Sequence, residues 1–287
     1  MKEYAYFPGC SVKGTAKAYE ESLLAVFKEL GIIWNELEDW NCCGATIYMS
    51  VDETISFTLS SRNMALAEKN GKDIVAPCSA CYLVLKKTKD YIEKYPDLKE
   101  KIKNSLSSIG LSYSGNTIVK HPLEIFVNDM GLNEIKRHVR KPLKEMKIAP
   151  YYGCQIVRPY TDVDNPIYPE IMDSLLESIG ASVVEYPVKT RCCGGSLTGT
   201  IEEVGLRLNY ILIEEAIKRG ANCIAVLCPL CQFNLEAYQE SINKMYKSNF
   251  NMPILYFTQV MGMAFGLSKQ SLGMKRSIVS AEHFYPV

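Results

Sequence analysis

The chain has 287 residues, 47% of them apolar and 22% charged, with 32 basic and 32 acidic side chains and no formal net charge at pH 7. That is the make-up of a globular protein able to bury a sizeable core, and it lacks the basic excess a nucleic-acid partner requires. The longest apolar stretch, Ile254 to Leu267, contains Thr258 and Gln259 and is too short to cross a bilayer. Met1-Lys2-Glu3 opens no signal peptide, so a cytoplasmic protein is expected.

Glu3 to Gly9 reads as a strand and Ala16 to Leu30 as a helix, with Leu23, Phe27 and Leu30 on one stripe. Ile32 to Leu37 reads as a second strand. Ser50 and Glu53 carry a capping-box signature for a helix that runs to Gly71, its expected C′ residue. Asp73 to Ala76 is a third expected strand, and another helix is expected to begin at Cys81. A Lys-rich helical segment around Tyr91 to Leu106 follows. The series then recurs. Tyr6-Phe7-Pro8-Gly9-Cys10 answers Tyr151-Tyr152-Gly153-Cys154, Gly31 answers Gly180, and Gly71 answers Gly220. Asn116 to Leu132 answers Asn251 to Leu267, which sets His121 against Tyr256. Pro166 is placed like a proline at the first helical position, and Val204, Leu208, Ile211 and Leu212 mark a long helical stripe. The repeat unit is about 140 residues, an ordinary domain size. The boundary falls near Lys141 to Lys147, giving units 1–145 and 146–287. Alternating strands and helices predict an α/β fold. Its two tandem units, related by a pseudo-two-fold, would each hold a parallel sheet.

Ten of the eleven cysteines obey the same repeat. Cys10, Cys42, Cys43, Cys78 and Cys81 read C-x31-CC-x34-C-x2-C; Cys154, Cys192, Cys193, Cys228 and Cys231 read C-x37-CC-x34-C-x2-C. Five thiols is an odd complement. Structural zinc and the ordinary cubane cluster each take four, and two disulfides leave one over. Zinc sites, disulfides and inert thiols remain alternatives. One iron–sulfur centre per unit accounts best for the vicinal pairs, since two adjacent cysteines do not easily ligate one iron. Cys10, Cys78, Cys154 and Cys228 follow expected strand ends, and the CC pairs lie in loops leading into helices. In open α/β sheets those ends gather at one edge, where helix N-termini lower thiol pKa values.

With Gly44 and Gly194 after the CC pairs, the doubled pattern resembles the cysteine-rich CCG family over nearly the whole chain. Members include the B subunit of heterodisulfide reductase and related subunits of succinate dehydrogenases, thiol:fumarate reductase, glycolate oxidase and lactate-utilisation systems. The length, without a fused ferredoxin-like C-x2-C-x2-C-x3-C-P module, is similar to the stand-alone B subunit of heterodisulfide reductase. The resemblance implies a noncubane [4Fe–4S] cluster on Cys10, Cys42, Cys43, Cys78 and Cys81, and a second on Cys154, Cys192, Cys193, Cys228 and Cys231. It further implies that the two clusters flank the CoM-S-S-CoB heterodisulfide and reduce it to two thiols. The implied partners are the heterodisulfide reductase C subunit, with cubane clusters, and the flavin-containing A subunit, in a cytosolic complex. The alternative is reduction of another disulfide or sulfur carrier, or electron relay in a succinate dehydrogenase-like or thiol:fumarate reductase-like complex.

An anionic substrate needs cations, and Lys13, Lys17, Arg158, Lys189 and Arg191 lie near motif cysteines in sequence. The plain alternative is that they are surface charges or offset the charge of the clusters. Gly194 to Gly199 lacks the lysine of a phosphate loop and reads as a tight turn. Cys223 is expected to be a buried inert thiol and His121 a structural residue. No nicotinamide or flavin fingerprint is present, so electrons are expected from another subunit.

Overall fold

The computed structural model describes residues 3–285. Its first sheet contains β1 (Glu3–Tyr6), β2 (Ile33–Glu36), β3 (Asp73–Val75) and β4 (Val119–Lys120), all parallel, in the order β2-β1-β3-β4. The second contains β5 (Lys147–Tyr151), β6 (Ser182–Val183), β7 (Cys223–Val226) and β8 (Ile254–Tyr256), again parallel, in the matching order β6-β5-β7-β8. The central strands are buried runs, Tyr4-Ala5-Tyr6 and Cys223 to Val226, because helices cover both faces of a parallel sheet.

The helices of the first half are α1 (Gly9–Lys13), α2 (Lys17–Glu29), α3 (Ile47–Val51), α4 (Glu53–Lys69), α5 (Ser79–Lys94), α6 (Pro96–Ser107), α7 (Pro122–Glu124) and α8 (Leu132–Arg137), with a π-helical turn at Ile125–Met130. Those of the second half are α9 (Ile171–Ser178), α10 (Glu202–Lys218), α11 (Pro229–Ala237), α12 (Gln239–Tyr246) and α13 (Phe257–Ala264). His121 and Tyr256 hold corresponding positions: each caps the following helix in a capping box, with Glu124 and Gln259 as partners.

The halves pack reciprocally. Helix α2 lies on α13, and α8 lies on α9. Between α2 and α13, Ser22 Oγ and Thr258 Oγ1 are 2.7 Å apart, and the ring of Phe126 meets both Phe27 and Phe257. Across the edges Glu21 pairs with Arg276, and Arg140, paired with Glu29 in its own half, donates from Nη1 to the Phe265 carbonyl. One hydrophobic core runs through both halves. The long apolar stretch near the C-terminus is β8 and α13, an element of that core. Among the described residues no helix is long and apolar enough to cross a membrane.

Several local expectations change. The cap of α4 is Asp52, whose carboxylate accepts from the Thr54 amide; Ser50 lies inside α3 and donates to the Thr46 carbonyl. A carboxylate one residue before the helix outcompetes the hydroxyl three residues earlier, because it also meets the positive end of the helix. Pro166 precedes α9 by five residues. It sits in a turn where Asn165 and Asp164 accept from the amides of Ile167, Tyr168, Glu170 and Ile171. The stripe of α10 is rotated: Gly205, Asn209, Leu212 and Ala216 are buried, whereas Val204 is exposed. Close approach to the 194–199 turn sets that face. Helix α5 starts at Ser79, so Cys81 lies in its first turn, and the Lys-rich segment divides into α5 and α6 at Pro96.

Candidate metal centre

Each motif is assembled by three loops at strand C-terminal ends. After β1 and β5 the chain passes through Gly9 and Gly153, both at φ +70°, a left-handed conformation. A Cβ on Gly9 would sit 2.9 Å from Cys81 Sγ, and one on Gly153 would sit 3.3 Å from Cys231 Sγ. The absent side chains let the sulfurs approach the backbone. The CC pairs end in Gly44 and Gly194, at φ +79° and +95°, and that turn aims each glycine amide back at Cys42 Sγ (3.5 Å) and Cys192 Sγ (3.3 Å).

Buried polar side chains hold the CC loops. Ser60 Oγ donates to the Cys43 carbonyl at 2.8 Å, and Asn209 Nδ2 to the Cys193 carbonyl at 2.9 Å, from matching places on α4 and α10. Asn234 Nδ2 adds a bond of 2.9 Å to the Gly195 carbonyl. Sequence reasoning missed all three. The only available signal was a polar residue on a helical face that later proves buried. The third loop ends in the C-x2-C pairs: Cys78 and Cys228 are the N-caps of α5 and α11. Free amides and the positive helix end there favour anionic sulfur.

The ten thiols form one path. Cys10 and Cys42 lie 3.9 Å apart, Cys43 and Cys81 3.2 Å, and Cys193 and Cys231 3.5 Å. Cys42 meets Cys43, Cys81 meets Cys78, Cys228 meets Cys231, and Cys193 meets Cys192, which meets Cys154. The halves join where Cys78 interacts with Cys228. All eleven cysteines are free thiols. Cys10 and Cys192 are exposed, Cys42 and Cys154 partly so, and the other six motif thiols are buried.

Neighbouring sulfurs divide the protons along this path. Bonds from Cys42 and Cys81 hold Cys43 well below the ordinary thiol range, and bonds from Cys228 and Cys81 do the same for Cys78. Cys192 is drawn down to about 2, first by Cys154, with Arg158 as a lesser attraction. Their partners Cys81 and Cys154 are pushed up as donors; Cys10 is pushed up by Cys42, and Cys231 by Cys193 and Cys228. Anionic and protonated sulfurs therefore mix before any metal arrives.

Between the halves lies a cavity of about 530 Å³. Its floor is Cys154, Cys192, Cys193, Cys228 and Cys231, and its apolar walls are Ile47, Val51, Ala80 and Leu230. No charged side chain is among its lining residues. Another cavity of about 320 Å³ touches no motif cysteine; there Lys86 pairs with Asp162, and the Tyr160 hydroxyl donates to Asp90.

Residues 4–86 and 148–236 match the family model CCG, described as a cysteine-rich domain. The chain belongs to the CCG family. Among CCG relatives, it is 32% identical over 283 residues to the 8-methylmenaquinol:fumarate reductase membrane anchor subunit of Wolinella succinogenes, covering 98% of both chains. It is 27% identical to the B subunit of the ferredoxin:CoB-CoM heterodisulfide reductase of Methanosarcina mazei, covering 99% of this chain and 96% of that one. A protein of Archaeoglobus profundus, described as like the heterodisulfide reductase B subunit, is 29% identical, covering 95% and 93%. A solved structure, a hypothetical protein from Helicobacter pylori, shares the fold with a TM-score of 0.79 at 18% identity. It covers 98% of this chain, which spans about half (52%) of that one.

The donor set of this CCG chain suits an iron–sulfur centre. It is all sulfur, the donor type that iron–sulfur centres take, and each repeat offers five such donors. Among the described residues no group of three or more His, Cys, Asp or Glu already stands arranged to hold a metal ion. Three buried hydroxyls without partners stand near the motifs: Ser79 Oγ beside Cys78, Thr198 Oγ1 in the turn after Gly194, and the Tyr19 hydroxyl; the Tyr113 hydroxyl, also unpaired, lies elsewhere. Unmet donors around a cysteine cage are what a sulfide-bearing group, an acceptor, would satisfy.

The cationic candidates part company. Lys13 is 2.6 Å from both Glu20 and Glu36, and Lys17 also pairs with Glu20, so both are neutralised. Lys189 is 1% exposed, bonds Asp173 at 2.5 Å and the Pro169 carbonyl at 2.7 Å, and lies over the Tyr168 ring. These contacts make it a scaffold lysine, contrary to the expected substrate role. Arg158 bonds the Thr190 carbonyl and bears on Cys192; Arg191 is exposed. Cys223 is fully buried in β7, and His121 is fully buried with Nε2 3.0 Å from the Pro77 carbonyl.

Proposed function

We propose that the chain is the cluster-bearing component of a multisubunit reductase. It would hold one iron–sulfur cluster per repeat, of noncubane [4Fe–4S] type, and reduce an S–S bond in the cavity between the repeats. Its proposed substrate is the CoB–CoM heterodisulfide. Its proposed partners are the heterodisulfide reductase C subunit, with cubane clusters, and the flavin-containing A subunit. The observation that supports the reading is the gathering of both cysteine motifs, with Cys10–Cys42, Cys43–Cys81 and Cys193–Cys231 sulfurs within 4 Å and the second motif flooring a cavity between the repeats.

An S–S bond takes two electrons, and iron–sulfur clusters bound at the two motifs supply them singly. The chain's own residues do the rest. Hydrogen bonds from Cys228 and Cys81 keep Cys78 anionic at the start of α5, and Ser60 and Asn209 fix the CC loops. Ile47, Val51 and Leu230 give the cavity an apolar wall. Arg158, whose charge bears on Cys192, would be the cation that meets an anionic substrate group.

A second reading has a specific observation behind it. The cavity lining carries no cation for a polyanionic substrate, and the 32% identical relative is a fumarate reductase anchor subunit. In that reading the same thiols hold clusters that relay electrons. Anaerobic purification, iron and sulfide analysis, and EPR during titration with the heterodisulfide test the proposal. It expects about eight irons and eight sulfides per chain, with a new paramagnetic signal when heterodisulfide is added. Full iron without that signal favours the relay. Zinc in place of iron after anaerobic reconstitution overturns both.

A further inference from the structure

Tyr19 on α2 is fully buried at the junction of the repeats. Its ring lies parallel on Tyr256 of the second repeat, with centroids 4.3 Å apart, and meets the edge of Phe257. Its hydroxyl has no hydrogen-bond partner in the protein. An unpaired buried hydroxyl is destabilising, and phenylalanine would fill the same space without that penalty. Tyr256 differs, because its hydroxyl has Gln232 Oε1 at 3.4 Å.

The surroundings indicate what Tyr19 lacks. Cys228 and Cys78, the two thiols at which the halves meet, lie close enough for their charge to bear on Tyr19. Burial pushes its phenol well above the ordinary value of 10.0, so it stays a donor at any working pH. We propose that the Tyr19 hydroxyl donates a hydrogen bond to a sulfur of the iron–sulfur centre at the Cys78–Cys228 junction, and so raises that centre's reduction potential. This rests on the cluster-binding reading above. The physical reason is simple: added electron density settles on the sulfurs, and a donor stabilises the reduced form more than the oxidised one. Tyr19 is a positioning and tuning residue toward that centre, and the stack on Tyr256 fixes its ring.

The test compares wild type, Tyr19→Phe and Tyr256→Phe, each purified without oxygen and reconstituted. Iron per chain, urea unfolding of the metal-free protein and the midpoint potential by EPR-monitored titration are measured. Metal-free Tyr19→Phe should be at least as stable as wild type, because it loses an unpaired hydroxyl. Loaded with equal iron, it should have a lower midpoint. Its reduced-to-oxidised ratio at the wild-type midpoint should fall about tenfold, equivalent to about 59 mV for one electron. Tyr256→Phe should keep the wild-type midpoint. Equal midpoints for Tyr19→Phe and wild type would overturn the proposal, as would loss of iron from a stably folded Tyr19→Phe. Wild type that takes up no iron would instead remove the cluster reading itself, and this inference with it.

Discussion

Replacing Gly9 with alanine isolates the close approach that builds the first motif. Gly9 and Gly71 have nearly the same backbone, at φ +70° and +64°. An alanine at either pays the left-handed penalty, roughly 1–2 kcal/mol. Their surroundings differ. A Cβ on Gly71 meets nothing within 4 Å, whereas one on Gly9 comes within 2.9 Å of Cys81 Sγ. Ordinary contact begins at 3.4 Å, so Cys81 must retreat by about half an ångström, beyond the roughly 0.2 Å tolerance of a metal–ligand distance. Cys81 is buried with Cys43 Sγ 3.2 Å away, and its movement disturbs that ligand too. Urea unfolding of the metal-free proteins should show the backbone penalty for both, with a larger loss for Gly9→Ala because the clash at buried Cys81 adds to it. After anaerobic reconstitution the two should separate. Gly71→Ala should keep about eight irons per chain and Gly9→Ala about four, the second cluster surviving. Full iron in Gly9→Ala, or equal iron loss in both, would refute the argument.

Two further outcomes rest on buried charge. Asp173→Ala strands the Lys189 ammonium, which is 1% exposed, and should cost about 3–5 kcal/mol in urea unfolding. Lys189→Met should cost less, roughly 2 kcal/mol or below, because Asp173 keeps the Tyr152 hydroxyl as donor and some solvent contact; the reverse order would show that Lys189 is held by something else. His121 is pushed down to about 4 by burial. Its folded value lies below its unfolded one, so the unfolded chain binds the extra proton between them. Stability is then complete above about pH 6.5 and falls as pH drops toward 4, by up to about 3 kcal/mol. His121→Gln should flatten that slope in metal-free protein, and an unchanged slope would assign the loss to other groups.

Much of this architecture is local information. Strand and helix periods predicted two α/β units, and the repeated spacing named all ten cysteines that the fold gathers. The glycines after the CC pairs announced their own turns, because left-handed backbone is a property of the residue. What the chain order alone could not decide was which polar residue faces inward. Ser50 reads as a better cap than it is, since Asp52 competes for the same amides. The stripe on α10 turned because Gly205 must pass the backbone of Thr198. Lys189, judged by its neighbours in sequence, pointed to substrate; its partners Asp173 and Pro169 come from 16 and 20 residues away. The meeting of Cys78 with Cys228, the placing of Tyr19 against Tyr256 and the uncharged cavity depend on how two separately built halves dock. Docking is fixed by the packing of whole helix faces, α2 on α13 and α8 on α9, which no single residue pattern encodes.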